Sequence, residues 1–168
     1  MRRILCLLLL CASSVEAQSA ADVAKSIQGA RREVIAVLPR VMNEAVAAAL
    51  KVTAARGTRV FLITERATVK RGGYLLNVSH GPSGINTYLY PGAISTPWIL
   101  VDGAWLASGA ALDADLTAPV AITRDAGTLS RLNLWATQVT AAGPTPRVDL
   151  LKLRYDQPTR PSPPRPAR

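Results

Sequence analysis

Residues 98 to 109 read WILVDGAWLASG, and this stretch decides the fold. Two apolar runs, residues 98–101 and 104–107, lie on either side of Asp102 and Gly103. An Asp-Gly pair between apolar runs favours a tight hairpin turn, because both central residues of that turn need a positive φ. The sequence therefore predicts two adjacent antiparallel strands late in the chain.

Helical and strand patterns alternate on both sides of this hairpin. Helices are predicted where apolar residues recur at helical spacing, and strands where short apolar runs lie between turn-forming residues. Asn43 is a good helix N-cap, and Gly57 a good residue at which to end that helix. Helices are predicted at 20–32, 43–56, 74–77 and 129–140, and strands at 34–38, 59–64, 85–90 and 119–123. This order predicts an α/β fold, an α/β/α sandwich with a mixed sheet.

From Gly143 onward the chain is rich in proline and arginine. Proline fixes φ and removes a backbone donor, so residues 157–168 are expected to be extended and disordered. Only Val148 to Tyr155 alternates enough to be a short strand. We expect a folded domain at 18–142 and a mostly disordered tail at 143–168.

The first 17 residues have the three parts of a cleavable signal peptide. Arg2 and Arg3 are positive, and residues 4–12 form an apolar run too short to span a bilayer. Val15 and Ala17 are small residues at the −3 and −1 positions of a cleavage site. We therefore expect a secreted or periplasmic protein with no transmembrane segment after cleavage.

Export would leave 151 of the 168 residues, enough for one domain, and would lower the formal charge from +9 to +8. Both cysteines, Cys6 and Cys11, lie in the removed segment, so the mature chain would have no disulfide and no thiol. A lipoprotein signal acylated at Cys11 is the alternative, disfavoured because Leu10 is not small. The single histidine, His80, excludes histidine-cluster metal sites. We expect no metal, no cofactor and anionic partners.

The order of elements, with its late Asp-Gly hairpin, resembles one half of a phospholipase D superfamily domain. It is most similar to the small secreted endonuclease type, which has a single half per chain and works as a dimer. The resemblance covers about residues 20–141 and is clearest in Glu44 to Thr64 and Ile99 to Gly109. It implies a homodimer and an HxKxxxxD motif followed by Gly-Ser, whose histidines attack phosphorus and protonate the leaving oxygen while its lysines hold the phosphate.

The reactive positions of that motif are replaced in this chain. The resemblance places the histidine on Ser95, the lysine on Pro97, the aspartate on Asp102 and the glycine on Gly109. The serine of the motif falls on Ala110. Serine without an adjacent base is a poor nucleophile, and proline has no charge. The aspartate and the glycine of the motif are therefore present, whereas its histidine and its lysine are absent.

The remaining candidates each have a structural explanation beside the functional one. His80 has Pro82 two residues after it, so it forms no HxK, and we interpret it as a solvated loop residue rather than an acid or base near Ser95. Lys70 and Arg71, before two glycines, are a candidate anion-binding pair or a solvated loop. For Asp102 the alternatives are a relic of a catalytic network and a turn role, in which it accepts hydrogen bonds from nearby backbone, and we favour the turn role. The tryptophans are expected mostly in the core, with base stacking as the alternative.

We predict an exported, catalytically inactive phospholipase D-like protein. Its groove or tail would bind a phosphate-bearing polyanion, such as nucleic acid or anionic lipid, or a partner protein. An exported phosphodiesterase, a nuclease or a phospholipase with a non-standard or composite site, is the alternative. An envelope structural protein without a ligand is the third. The missing HxK favours the first over the second.

Overall fold

The computed structural model describes residues 16–79 and 84–155. The expected signal segment up to residue 15, His80 and residues 156–168 therefore lie outside the described residues. None of the described helices is both long and apolar enough to cross a bilayer. In chain order the elements are β1 (Glu16–Gln18), α1 (Ala20–Gln28), β2 (Glu33–Val37), α2 (Glu44–Ala55), β3 (Arg59–Glu65), a 3-10 helix (Arg66–Arg71), α3 (Leu75–Val78), β4 (Ile85–Tyr90), β5 (Trp98–Val101), β6 (Trp105–Ser108), a second 3-10 helix (Ala110–Leu112), β7 (Val120–Thr123), α4 (Ala126–Thr140) and α5 (Arg147–Tyr155).

The strands form one mixed sheet in the order β1-β7-β6-β5-β2-β3-β4. β2, β3 and β4 are parallel, whereas β5, β6, β7 and β1 pair antiparallel. Val37 at the end of β2 pairs with Trp98 at the start of β5, and Trp98 pairs with Ser108 at the end of β6. One edge of the sheet, here the carboxyl edge, therefore carries the ends of β2, β3, β4 and β6 and the start of β5.

The predicted hairpin is present at β5 and β6. Asp102 and Gly103 have φ values of 54° and 67°, and the Ala104 N–H donates to the Val101 carbonyl at 2.9 Å. Both central residues adopt the positive φ that the Asp-Gly pair predicted.

Helices cover both faces of the sheet, which confirms the α/β sandwich. α1, α2 and α3 pack on a face that includes Leu62 and Ile99, and α4 packs on the other, which includes Ile63 and Leu100. Trp98 is buried, and its ring lies 5.8 Å from that of Trp135 on α4 in an edge-to-face arrangement. The packing role expected for these two tryptophans matches this geometry.

The interpretation of Val148 to Tyr155 as a strand is wrong, because these residues belong to α5. Leu150 and Leu153, three residues apart, point to the same side of a helix, and Leu150 is fully buried. The carbonyl of Pro146 accepts the N–H groups of Asp149 and Leu150, which starts the helix directly after proline. The packed chain thus continues to Tyr155, past the boundary expected at residue 142.

Candidate anion-binding site beside the carboxyl edge

Four of the five positions matched to the catalytic motif lie at the carboxyl edge, and only Asp102 does not. Ser95 is exposed in the loop before β5, whereas Pro97 is buried directly before that strand. Gly109, directly after β6, donates its N–H to the Pro97 carbonyl at 3.0 Å. This bond uses only the carbonyl of residue 97, so the backbone geometry at this position is compatible with proline.

Gly109 is a glycine for a steric reason. Its φ is 149°, and a Cβ added there would lie 3.2 Å from the carbonyl oxygen of Pro119. A side chain would meet both an unfavourable backbone conformation and a backbone oxygen. The glycine of the motif is therefore explained by packing alone.

Asp102 lies in the hairpin turn, at the opposite end of β5 and about 13 Å of strand away from the carboxyl edge. Its carboxylate accepts the backbone N–H groups of Arg31 at 3.0 Å, Arg32 at 2.8 Å and Glu33 at 3.0 Å. Partial burial raises the pKa of Asp102, but these hydrogen bonds outweigh it and hold the pKa below its usual value. The expectation of bonds to nearby turn backbone is wrong, because the donors lie some 70 residues earlier.

A buried carboxylate that the sequence did not reveal holds the turn after β2. Asp113 accepts the backbone N–H groups of Arg40 at 2.9 Å and Val41 at 2.7 Å, and its other oxygen lies 3.8 Å from the Arg40 Nε. Burial raises the pKa of Asp113 above its usual value, although both backbone bonds oppose the shift. Val41 has a φ of 57°, rare for a β-branched residue, so Asp113 stabilises a strained turn at the carboxyl edge.

Glu65, the last residue of β3, fixes the loop that carries Ser95. Its Oε1 accepts the backbone N–H of Ile94 at 2.7 Å. Over residues 16–79 and 84–155 there is no imidazole to activate the Ser95 hydroxyl, since the chain's only histidine lies in the gap. The same stretches contain no group of three or more His, Cys, Asp or Glu that could hold a metal ion.

Two adjoining cavities, of about 520 and 320 Å³, lie between the first 3-10 helix, the end of β4 and α5. They share Arg66 and Leu153 in their walls; Lys152 lines the larger cavity, and Lys70 lines the smaller one beside Pro91. We call the two cavities together the basic groove. Pro91 begins the loop that leads to Ser95, so the basic groove opens beside the carboxyl edge.

Two of the elements that form the basic groove, the first 3-10 helix and α5, are strongly cationic. They carry six basic residues and a single acidic one, Asp149, whose carboxylate lies 3.3 Å from the Lys152 Nζ. The Arg154 guanidinium donates to the Val69 carbonyl at 2.7 Å and joins α5 to the 3-10 helix. Of the anion-binding pair expected from the sequence, Lys70 lines the groove, whereas Arg71 is exposed on the same helix outside its walls.

No family model matches the sequence, and neither does any curated protein. Solved structures do match the fold. Nuc from Salmonella typhimurium, a phospholipase D family member, has a TM-score of 0.63 and 12% identity over 77% of this chain and 95% of its own. This chain has a phospholipase D fold. NucT from Helicobacter pylori gives a TM-score of 0.65 at 14% identity over 77% of this chain and 96% of NucT. TrmBL2, an archaeal chromatin protein, gives a TM-score of 0.54 at 7% identity over 82% of this chain and 56% of TrmBL2. The expected superfamily resemblance is thereby confirmed for the fold.

Proposed function

We propose that this chain is an exported, non-catalytic protein with a phospholipase D fold that binds a phosphate-bearing polyanion in the basic groove. One observation carries the proposal: the positions of the catalytic pair are an exposed serine and a buried proline, while a cationic groove opens beside the same edge. In this proposal the fold is retained, and the positive charge that binds phosphate lies in the basic groove instead of at residues 95 and 97.

The absence of catalysis follows from the chemistry that the superfamily motif needs. Its nucleophile must be partly unprotonated near neutral pH, which histidine achieves with a reference pKa of about 6.5 and serine does not. Pro97 is buried and brings no cation to a phosphate. Groups that act as a unit do not compensate for one another, so the loss of both costs orders of magnitude in rate.

Polyanion binding would rest on the three cations that line the basic groove, Arg66, Lys70 and Lys152, which outnumber the one carboxylate in its wall, Asp149. Each phosphate neutralised by a cation releases condensed counterions, so affinity falls with salt in proportion to the number of contacts. Three contacts to duplex DNA give a logarithmic slope of about −2.7 and about 40-fold weaker binding when salt rises fourfold. TrmBL2, described as a chromatin protein with a novel mode of DNA binding, supports a binding use of this fold.

Binding is tested by fluorescence anisotropy with labelled duplex and single-stranded DNA, polyphosphate and anionic vesicles in competition. The double variant Arg66→Gln/Lys152→Gln should weaken binding more than tenfold at low salt and reduce the salt slope by about two. The control Lys25→Gln/Arg56→Gln removes the same charge from exposed positions on α1 and after α2. Equal losses in both variants, or no binding at low salt, would refute the groove as the site.

Catalysis is tested by incubating the same purified chain with phosphodiester substrates. We expect no turnover above background. The double variant Ser95→His/Pro97→Lys should recover traces of activity only in a dimer that brings two such sites together. If the unaltered chain hydrolyses a phosphodiester and His80→Ala abolishes the activity, the chain is an exported phosphodiesterase and the non-catalytic proposal is wrong.

Export is tested by N-terminal sequencing of protein recovered from the producing cell. We expect the mature chain to begin at Gln18 or within a few residues of it, since Val15 and Ala17 suit the peptidase. An intact Met1 on most molecules would contradict export by this route. Cleavage there would leave Gln18 as the last remaining residue of β1, opposite Val120.

A further inference from the structure

A second groove lies on the face covered by α1 and α2. It consists of two adjoining cavities of about 560 and 330 Å³ that share Glu44, Ala48 and Tyr74 in their walls. The larger also reaches Ser19 at the start of α1 and the segment from Asp115 to Thr117. We call both cavities together the acidic groove.

The walls of the acidic groove expose apolar side chains. Met42, Val52 and Leu116 line it and are 37%, 45% and 51% exposed. They are half of the large apolar residues that are exposed to this degree within the described ranges. Exposed apolar side chains gathered in one concave surface are typical of an interaction site.

Two carboxylates, Glu44 and Asp115, and one cation, Lys51, line this groove, so its formal charge is negative and opposite to that of the chain. The Lys51 Nζ donates to the Asn77 Oδ1 at 2.8 Å. Burial raises the pKa of Tyr74 above its usual value, and the negative charge of Glu44, its hydrogen bond with the tyrosine and the charge of Asp115 add to the shift. Both carboxylates therefore act on one aromatic side chain in the groove wall. A partner that fits this surface is cationic and partly apolar.

The chain itself contains a segment of that chemistry. Residues 156–168 include five prolines and three arginines. Proline-rich segments bind grooves with an aromatic wall, and arginine pairs well with carboxylates. The segment supplies both the apolar and the cationic groups that the acidic groove selects.

The point at which this segment leaves the domain lies near the groove. α5 ends at Tyr155, and the Arg154 guanidinium donates to the Val69 carbonyl. The same guanidinium lies 3.7 Å from the position that a Cβ would occupy on Gly72. A Cβ on the next residue, Gly73, would lie 3.0 Å from the sulfur of Met42, which is in the wall of the groove. Thirteen residues of proline-rich chain reach about 40 Å, and α2 is about 18 Å long. The segment is long enough to extend along the groove.

We propose that the acidic groove binds the chain's own residues 157–168, with arginines on Glu44 and Asp115 and prolines on Tyr74, Met42 and Leu116. The groove differs from the basic groove in residues and in charge. The proposal therefore goes beyond polyanion binding and does not depend on it.

The test places a spin label on a cysteine introduced by Ser162→Cys in the full chain, with Cys6→Ser and Cys11→Ser so that the label has one site. Paramagnetic broadening of backbone amide signals then reports which residues the segment approaches. We expect Ala45 and Thr117 to lose most of their signal intensity and Thr137 on α4 to keep it. The effect should disappear at about 0.5 M salt, where the screening length is only about 4 Å.

The matched variants separate the charge effect from general ones. Glu44→Gln/Asp115→Asn should abolish the broadening, whereas Glu33→Gln/Asp125→Asn, which removes two carboxylates outside the groove, should retain it. Asparagine remains a good N-cap at residue 125, so α4 is preserved.

Broadening confined to α5 and the basic groove, or none at low salt in the unaltered chain, would overturn the proposal. A mixture of isotope-labelled chains without the spin label and spin-labelled chains without the isotope identifies the source. Broadening in that mixture would show that a second copy's segment occupies the groove and would overturn the intramolecular form.

Discussion

Asp102→Ala should destabilise the protein. The carboxylate holds three successive backbone N–H groups, those of Arg31, Arg32 and Glu33, at the start of β2. The carbonyl of Glu33 in turn accepts the N–H of Asp102 at 2.9 Å. Without the carboxylate this backbone bond remains, but the three N–H groups lose their shared acceptor, which weakens the attachment of the hairpin turn to the start of β2.

The magnitude can be worked from these contacts. A hydrogen bond to a charged group contributes about 1.5–3 kcal/mol, but water replaces the acceptor at the exposed Arg31 and Arg32. The main loss is at the part-buried Glu33, about 2 kcal/mol. Alanine at a φ of 54° adds about 1 kcal/mol. We expect a total of about 3 kcal/mol and a Tm lower by roughly 6–12 °C.

Urea unfolding at pH 7 and about pH 3 checks this value, with Asp102→Asn as the control. Asparagine tolerates the positive φ and keeps one oxygen acceptor, so its cost should be about 1 kcal/mol. Because the folded-state pKa is below the unfolded value near 3.8, the stabilisation is complete above that value and is lost as the pH falls through the folded pKa. The difference between the unaltered chain and Asp102→Asn should thus shrink toward pH 3. A loss below about 1 kcal/mol for alanine, or a difference that grows on acidification, would refute the reasoning.

Three further predictions concern packing and assembly. Gly109→Ala should lower the free energy of unfolding by about 2–3 kcal/mol in the same urea assay. Its control Gly103→Ala, at a glycine with open space around it, should lower it by about 1 kcal/mol. Equal losses would contradict the clash with backbone oxygen. Leu150→Ala should lower the free energy of unfolding by about 2–4 kcal/mol, because Leu150 is buried. Val148 is exposed, so Val148→Ala should lower it by less than about 0.5 kcal/mol. A negligible loss at Leu150 would mean that α5 does not pack. Light scattering at micromolar concentration should show a homodimer, and a clean monomer would remove that prediction. The expectation that the apolar residues of the hairpin at 98–107 form the dimer surface is wrong, because Trp98, Leu100 and Leu106 are buried inside the protomer.

The elements that the sequence predicted correctly are those with local signals. The Asp102-Gly103 pair determines the hairpin within four residues, and the Asn43 side chain accepts the N–H of Val46 as an N-cap should. α5 was misread because Val148 to Tyr155 has both a two-residue alternation and a three-residue spacing of leucines. Leu150 is fully buried, and α5 packs against the first 3-10 helix and α3, far earlier in the chain, which decides between the two.

The site was less predictable because its contacts join distant residues. Asp113 binds backbone 72 and 73 residues earlier, and Glu65 binds Ile94, 29 residues later. No local pattern distinguishes these carboxylates from solvated ones. Lys70 could be found from its basic run, but the groove that it lines exists only because α5 packs against that run.

The segment between α4 and α5 has a consequence for self-association. The Thr145 N–H donates to the Thr87 carbonyl at 2.7 Å, so this segment bonds to β4, the last strand of the sheet. An uncovered edge strand presents backbone donors and acceptors to which a strand of another molecule can add. A chain that ends at Ala142, where composition suggests that the domain stops, would expose this edge and aggregate through it. A chain that ends at Tyr155 would keep this bond to β4 and expose less of the edge.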